Sequence, residues 1–380
     1  NMTFAIRGRF SLAHTPPPRR FHVAKALLHQ AMSLLVTGGL GFLGKQVARH
    51  YLKRGTVWAP KFGKAVPLEQ LTLFDVPGIL DPSDDAGGLP PDLAADNRVR
   101  IMTGDLTEEG VADEIVDDDS LSVIHLASMV SGDTEADHLR GWQVNVEGQR
   151  KLLESLRTRA PNSRFVFTSS TAAFGPAETW NSTDADDLTK LLPQNTYGFH
   201  KAVCELMVND YSRRGFVDAR CLRLPVIVVR PGKPNAALTG AWSSVVREPL
   251  NGLDAIIPVP MDVKLPCASY QLVVKALGIL LDEIKAEDLG YDKSIMLPSL
   301  PLSCAELHDA AKALAEECKL PGQVGTARAK AQEVATRIVT KMGERSTATR
   351  AMELGIMPDE SAEAIVRMYA EDGHVEGYLS

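Results

Sequence analysis

Tyr197 and Lys201 are spaced to bring a phenol and an ammonium together, an arrangement that can move a proton. They stand at positions i and i+4, so a helix would place both side chains on one face. A neighbouring ammonium favours the phenolate form of a tyrosine and makes it a better proton acceptor. Ser170 lies 27 positions before Tyr197 in the hydroxyl-rich run from Thr168 to Thr171. The sequence therefore predicts acid–base chemistry on an alcohol or a carbonyl, with Ser170, Tyr197 and Lys201 as catalytic residues.

A glycine-rich turn upstream is typical of a dinucleotide-binding site. Residues 36–44 read VTGGLGFLG, which contains both GxGxxG and GxxGxxG. Glycines let backbone amides approach a pyrophosphate at the N-terminus of the helix that follows. The stretch also resembles a P-loop, but Gln46 stands where Ser or Thr would bind magnesium. We expect cofactor contacts from Gly38, Gly41, Phe42, Leu43 and Gly44.

Two carboxylates follow predicted strands and could contact the adenosine half of a dinucleotide. Asp75 could accept hydrogen bonds from the ribose hydroxyls and would repel a 2′-phosphate, which favours NAD over NADP. The alternative is a turn aspartate, because residues 55–68 lengthen the usual spacing of about 20 residues between turn and acid. Asp105, followed by Leu106, could meet the adenine amino group. The alternative for Asp105 is a helix N-cap.

The segment after the next predicted strand contains small residues that would let the chain pass close beneath a cofactor. It reads His125-Leu126-Ala127-Ser128. We expect Leu126, Ala127 and Ser128 to contact the cofactor and His125 to be structural. Ser131, a little further on, is a candidate hydroxyl contact to the substrate.

Alternating strands and helices would position these residues in an α/β fold, a Rossmann-type doubly wound parallel sheet. Predicted strands lie at 34–36, 71–74, 99–102, 122–126, 164–167 and 222–229. Predicted helices include 44–54, 139–157, 197–213, 305–318 and 362–369, and 81–96 reads as a surface loop. The alternation weakens after residue 230. We therefore expect an NAD-binding domain over 32–230 and a smaller substrate-binding lobe over 231–380 that partly returns to the sheet.

Composition excludes several classes of partner. With 23% charged residues, a net charge of −7 and no basic cluster in the body of the chain, we expect no nucleic acid partner. No apolar run is long enough to cross a bilayer, so no membrane association is expected. The five cysteines form no CxxC pair and the nine histidines show no ligand spacing. A reducing compartment and no metal site are predicted.

Residues 1–31 are unlike the rest of the chain. They contain five basic residues, three consecutive prolines and no acid. That composition is typical of an organelle transit peptide. The alternative is an upstream extension, with the folded enzyme starting near Met32. A cytoplasmic protein is the expectation, and a mitochondrial one the alternative if 1–31 is a transit peptide.

The motifs together resemble the extended short-chain dehydrogenase/reductase family, the NAD-dependent epimerase/dehydratase group. The resemblance runs from about Leu34 to the C-terminus and rests on TGGLGFLG, VIHLAS, NVEG, FTSSTAAFG and YGFHK. It implies that Ser170 holds the reacting oxygen, Tyr197 exchanges its proton, and Lys201 binds the nicotinamide ribose. It further implies NAD as cofactor, a homodimer, and contacts from Pro225 to the cofactor and Thr171 to the substrate. Asn145 would organise a proton-relay water, or alternatively pack within its helix.

A narrower resemblance is to the D-erythronate dehydrogenase subgroup. It rests on 208–218, 224–235, 247–249 and 349–355, and it implies oxidation of the C2 hydroxyl of a small sugar acid to the 2-keto acid. A small carboxylate needs fixed donors, so Arg247 is the candidate anchor, with an ion-pair role as the alternative. The long 55–68 segment, residues 1–31 and Pro266-Cys267-Ala268 depart from the usual pattern.

Other activities fit the same motifs. One is a nucleotide-sugar epimerase or dehydratase, although dehydratases of the family carry an acid pair where Ser170 is followed by Thr171, Ala172 and Ala173. Another is a reductase of a different small carbonyl. A non-catalytic NAD-binding protein is disfavoured, because such proteins lose the Tyr and Lys.

Overall fold

The computed structural model describes residues 32–79, 88–119, 121–179, 182, 184–232, 238–320 and 324–378. The predicted transit peptide or extension, residues 1–31, lies outside the described residues. Residues 80–87, which include the first seven residues of the predicted surface loop at 81–96, also lie outside the described residues.

Strands and helices alternate along the chain. The strands are β1 Met32–Thr37, β2 Thr56–Ala59, β3 Lys64–Asp75, β4 Val99–Thr103, β5 Ser122–His125, β6 Arg164–Ser170, β7 Asp184–Asp186, β8 Asp218–Leu224, β9 Val226–Val228, β10 Ala255–Ile257, β11 Lys264–Ser269, β12 Ser294–Met296, β13 Leu300–Ser303, β14 Ala327–Ala329 and β15 Arg345–Thr347. The α-helices are α1 Phe42–Arg54, α2 Pro91–Ala94, α3 Val111–Ile115, α4 Ser131–Ala136, α5 His138–Trp142, α6 Gly148–Arg159, α7 Thr196–Arg213, α8 Ala241–Leu250, α9 Tyr270–Asp282, α10 Cys304–Cys318, α11 Glu333–Val339, α12 Thr349–Glu353 and α13 Ala362–Tyr369.

The main sheet is the predicted parallel sheet. Among the described residues its strands lie in the order β12-β8-β6-β5-β1-β3-β4, and β2 pairs antiparallel with the first residues of β3. The order reverses direction between β1 and β5, which places a crevice at the carboxyl ends of these two strands. The central strands β1, β5 and β6 are buried on both faces, as the middle of a sheet covered by helices requires. The predicted fold class is confirmed.

The long segment between the glycine turn and Asp75 forms a β-hairpin. Residues 56–59 pair with 64–67 at the amino end of β3, opposite to the glycine turn. Asp282, at the end of α9, fixes the hairpin by accepting hydrogen bonds of 2.7 Å each from Tyr51 Oη, Arg54 Nη1 and the Trp58 N–H. The extra residues therefore extend the sheet away from the candidate site, and the strand predicted at 71–74 begins at Lys64.

Two predicted elements are interrupted. The strand expected over 222–229 ends at Leu224, because Pro225 has no N–H for the ladder, and β9 then joins β11 and β13 in a separate sheet. The helix expected over 139–157 contains a π-helical turn at Gln143–Glu147. Such turns insert one residue into a helix and occur frequently at functional sites.

The chain after residue 230 packs against the main sheet and also contributes a strand to it. Helix α9 packs against β9 and β11 of the small sheet, and α10 packs against β13 and against α8 and α13. Strand β12 pairs with β8 at the edge of the main sheet. All five cysteines are free thiols. Among the described residues, no helix is long and apolar enough to cross a membrane.

Candidate active site

A cavity of about 1020 Å³ runs along the carboxyl ends of the parallel strands. Its walls come from the glycine turn, the loop after β5, the end of β6, the start of α7 and the chain after β8. Of the predicted site residues, it is lined by Gly38, Gly41, Phe42, Leu43, Gly44, Leu126, Ser128, Ser131, Ser170, Thr171, Tyr197, Lys201, Pro225 and Arg247. Asp75, Asp105, Leu106, Ala127 and Asn145 do not line it.

The glycine turn has the geometry of a cradle for a dinucleotide pyrophosphate. Gly38 has φ +69°, and a Cβ there would lie 2.8 Å from the Ala127 nitrogen. A Cβ on Gly44 would lie 2.6 Å from the Gly39 Cα. Gly41 precedes α1 without a side-chain cap, and the first turn of α1 contains no acid. The N-terminus of α1 can therefore bind an anionic group, and the residues present fit the phosphates of a dinucleotide.

Ser170, Tyr197 and Lys201 all line this cavity. Lys201 is 3% exposed, and its Nζ donates a 2.8 Å hydrogen bond to the Thr168 carbonyl oxygen. The same Nζ lies 5.4 Å from the centroid of the Tyr197 ring. Ser170 accepts the Ala172 N–H with its Oγ at 3.1 Å, so its hydroxyl hydrogen remains available to donate.

Two residues absent from the predicted site fix the position of Tyr197. Asn195 caps α7 by accepting the Gly198 N–H at 2.7 Å. Gly198 packs directly on the turn that follows Ser170, because a Cβ there would overlap the Ala172 carbonyl oxygen. The end of β6 and the start of α7 thus approach as closely as two backbones can. An Asn before a helix indicates an N-cap, so the sequence could have identified Asn195. Nothing in the sequence indicates the close approach of Gly198 to the turn after Ser170.

Asn145 lies within the π-helical turn and holds the loop after β5. Its Oδ1 accepts the Met129 N–H at 2.7 Å and the Ser128 hydroxyl at 3.2 Å, and its Nδ2 donates to the Met129 carbonyl at 3.1 Å. The side chain thereby positions Ser128, which lines the cavity. The predicted relay-water role of Asn145 stays a prediction.

The two predicted adenosine contacts are part of the protein's own hydrogen-bond network. Asp75 ends β3, and its Oδ2 accepts the Leu40 N–H at 3.1 Å; burial raises the pKa of this carboxyl. Asp105 accepts the Thr107 N–H at 2.8 Å and pairs with Arg140. The suggestion that Asp105 is a helix N-cap is wrong, because Gly110 precedes α3 and Asp105 stabilises a turn instead.

His125 is buried at the end of β5 and bonds within the core. Its Nδ1 is 2.6 Å from Thr37 Oγ1, and burial lowers its pKa to about 3. The ring is therefore neutral at physiological pH. His125 does not line the cavity, and its contact with Thr37 lies within the core, so it does not contact a reacting group.

Arg247 reaches the cavity wall, but its guanidinium is engaged with the protein. Nη1 donates to the Arg230 carbonyl oxygen at 2.7 Å, and Nη2 donates to Ser244 Oγ at 3.2 Å and to Glu248 Oε1 at 2.7 Å. Arg230 lines the cavity as well. Sequence reasoning missed Arg230, although a cation directly after the apolar run Val226–Val229 is a visible signal for a residue at a strand end.

Comparison with known proteins identifies relatives along most of the chain. The model of the NAD dependent epimerase/dehydratase family matches residues 34–262. D-erythronate dehydrogenase of Cupriavidus necator is 39% identical over 90% of this chain and 98% of its own length. D-erythronate dehydrogenase of Haemophilus influenzae is 32% identical over 90% and 99%. A nucleoside-diphosphate-sugar epimerase structure from Agrobacterium tumefaciens superimposes with a TM-score of 0.73 at 31% identity, covering 90% of this chain and 94% of that one. The predicted relationship is confirmed: the chain belongs to the NAD dependent epimerase/dehydratase family.

Proposed function

We propose that this protein is an NAD-dependent dehydrogenase that oxidises the C2 hydroxyl of a small sugar acid such as D-erythronate to the 2-keto acid. The observation that supports it most directly is the placement of Ser170, Tyr197 and Lys201 in one cavity with the glycine turn. The two relatives named D-erythronate dehydrogenase support the substrate class. Asp75 at the end of β3 supports NAD over NADP as the cofactor.

Oxidation of an alcohol removes a hydride from carbon and a proton from oxygen, and each side chain of the site has its own role in this reaction. Bound NAD supplies the hydride acceptor. Ser170 donates its free hydroxyl hydrogen to the substrate oxygen, and Tyr197 accepts the hydroxyl proton as the C–H bond breaks and the carbonyl forms. Lys201 uses one of its three hydrogens on Thr168, which leaves two for the ribose of the cofactor and keeps its charge beside the phenol. Atoms balance, because one hydride and one proton leave and a ketone remains.

The test is oxidation of D-erythronate with NAD, followed through NADH absorbance, by the wild type and by Tyr197→Phe. We expect the variant to bind NADH as the wild type does and to lose roughly 10²- to 10⁴-fold in kcat, as loss of a general base does. Retention of turnover within threefold would refute the role of Tyr197.

An epimerase is the second candidate, because the Agrobacterium tumefaciens structure bears that name at 31% identity. An epimerase returns the hydride to its substrate, so no net NADH accumulates. Conversion of a nucleotide sugar without NADH release, together with no oxidation of small hydroxy acids, would favour that activity and contradict the dehydrogenase.

A further inference from the structure

Arg230 lies in the wall of the same cavity as Ser170 and Tyr197. It follows β9 by two positions, just after the chain leaves the main sheet at Pro225. Its side chain is partly buried, and Tyr197 lines the same cavity. Arg230 and the group proposed to accept the substrate proton therefore line one cavity.

Helix α8 fixes the backbone of Arg230 on both sides. The Arg230 N–H donates to Ser243 Oγ at 3.0 Å, and the Arg230 carbonyl accepts from Arg247 Nη1 at 2.7 Å. Ser243 and Arg247 are themselves 1% and 8% exposed. Arg247 also pairs with Glu248. One nitrogen of its guanidinium is thus held by Glu248, while the other holds the Arg230 carbonyl oxygen in place.

Arg230, which is partly buried, differs from the buried arginines in its charged neighbours. Arg164 and Arg220 pair with Asp218, Arg223 pairs with Glu205, and Arg247 pairs with Glu248. Across the described part of the chain, the ion pairs include no carboxylate partner for Arg230. Burial lowers the pKa of its guanidinium, and the phenol of Tyr197 acts in the opposite direction. A desolvated guanidinium gains most from a carboxylate that can accept two hydrogen bonds.

We propose that Arg230 binds the substrate carboxylate and thereby selects 2-hydroxy acids. The inference rests on the proposed function and deepens it. In a 2-hydroxy acid the carboxyl carbon is bonded to the carbon that carries the reacting hydroxyl. The group that binds the carboxylate must therefore reach the cavity that holds the proton acceptor, and Arg230 lines that cavity. Arg247 is a positioning residue that acts through Arg230, in place of the anchor role expected from the sequence.

The experiment compares Arg230→Gln and Arg230→Lys with the wild type on D-erythronate and on its neutral amide. We expect Arg230→Gln to lose roughly 10²-fold in kcat/KM for the acid, as truncation of a buried charge pair does, with little change for the amide. Arg230→Lys should recover part of the loss, because it retains the charge but not the fork. The affinity for NADH, measured by fluorescence, should stay within twofold. Arg328→Gln is the matched control, because Arg328 is exposed in β14 and does not line the cavity.

An unchanged KM for the acid in Arg230→Gln would overturn the proposal. So would an equal loss for acid and amide, or a matching loss of NADH affinity, because either would indicate a structural role. Melting temperatures of both variants check folding, and Arg230→Lys remains informative if Arg230→Gln is unstable. If the wild type oxidises no small hydroxy acid, the proposed function fails, and titration of the NADH complex with D-erythronate still tests the anchor. Binding by the wild type that is lost in Arg230→Gln supports the anchor; equal binding by both, or by neither, overturns it.

Discussion

Lys201 Nζ donates a 2.8 Å hydrogen bond to the carbonyl oxygen of Thr168. This bond joins the second turn of α7 to the end of β6, so the ammonium is positioned by the main sheet. It also keeps the charge over the ring of Phe167, at 4.6 Å from the centroid. The position of Lys201 relative to Tyr197 is thus set before any ligand binds.

Replacement of Lys201 by Met should remove the ammonium and leave a buried carbonyl without a donor. We expect kcat/KM to fall by at least roughly 10²-fold and NADH to bind more weakly, measured by steady-state kinetics and fluorescence titration. Lys151→Met is the matched control, because Lys151 Nζ also donates to a carbonyl, that of Thr107, at 2.7 Å and does not line the cavity. Equal losses in both variants would show that the effect is one of stability.

Gly198→Ala tests the close packing between α7 and the turn after Ser170. The new Cβ would overlap the Ala172 carbonyl oxygen, so the two backbones must separate. We expect a loss of about 1–3 kcal/mol in the free energy of unfolding together with a lower kcat, from urea titration and kinetics. Gly88→Ala, where a Cβ has nothing within 4 Å, should change neither. A fully active Gly198→Ala would mean that this contact does not position Tyr197.

Asp75→Asn tests the charge of Asp75 separately from its hydrogen bonding. The amide oxygen can still accept the Leu40 N–H, which Asp75 Oδ2 accepts at 3.1 Å, while repulsion of a 2′-phosphate disappears. We expect the ratio of kcat/KM for NAD to that for NADP to fall at least tenfold, and Asp75→Ser to lower it similarly at a greater cost in melting temperature. If neither variant alters the cofactor ratio, Asp75 serves only to stabilise the glycine turn.

His125 should make the protein sensitive to acid. Burial holds the folded-state pKa at about 3, against 6.5 for an exposed histidine. Below pH 6.5 the unfolded chain binds a proton that the folded chain does not, so stability falls with pH by up to about 1.4 kcal/mol per unit until about pH 3. His125→Asn should flatten that slope between pH 6 and pH 4 in urea unfolding, whereas His138→Asn, at an exposed position, should not. Parallel slopes for wild type and His125→Asn would contradict this origin.

The parts of the fold that follow from local pattern could be predicted from the sequence. Apolar runs and the glycine turn predicted the parallel sheet, and the i, i+4 spacing predicted that Tyr197 and Lys201 share one helix face. What depends on the encounter of distant segments could not be predicted. Three contacts illustrate this: Gly198 with Ala172, Asn145 with Met129, and Arg247 with Arg230. Each joins separate segments of the chain, and only the folded structure shows that they are neighbours.

Arg247 illustrates the limit most clearly. Residue type alone suggested a fork for a carboxylate, and the cavity wall does include it. The direction of a long side chain depends on its neighbours, however, and here the Arg230 carbonyl oxygen accepts from Nη1 and Glu248 accepts from Nη2.

The hairpin formed by β2 and β3 has a practical use. Its turn at residues 60–63 is largely exposed and lies at the amino end of β3, whereas Asp75 and the glycine turn lie at the carboxyl edge of the sheet. The same hairpin is anchored on Asp282 through Trp58, so its base is held independently of its tip. Exposed loop tips tolerate added chain. The tip is therefore a suitable place to insert an affinity tag or a fluorescent-label sequence, so that cofactor binding can be followed with a reporter on the far side of the sheet.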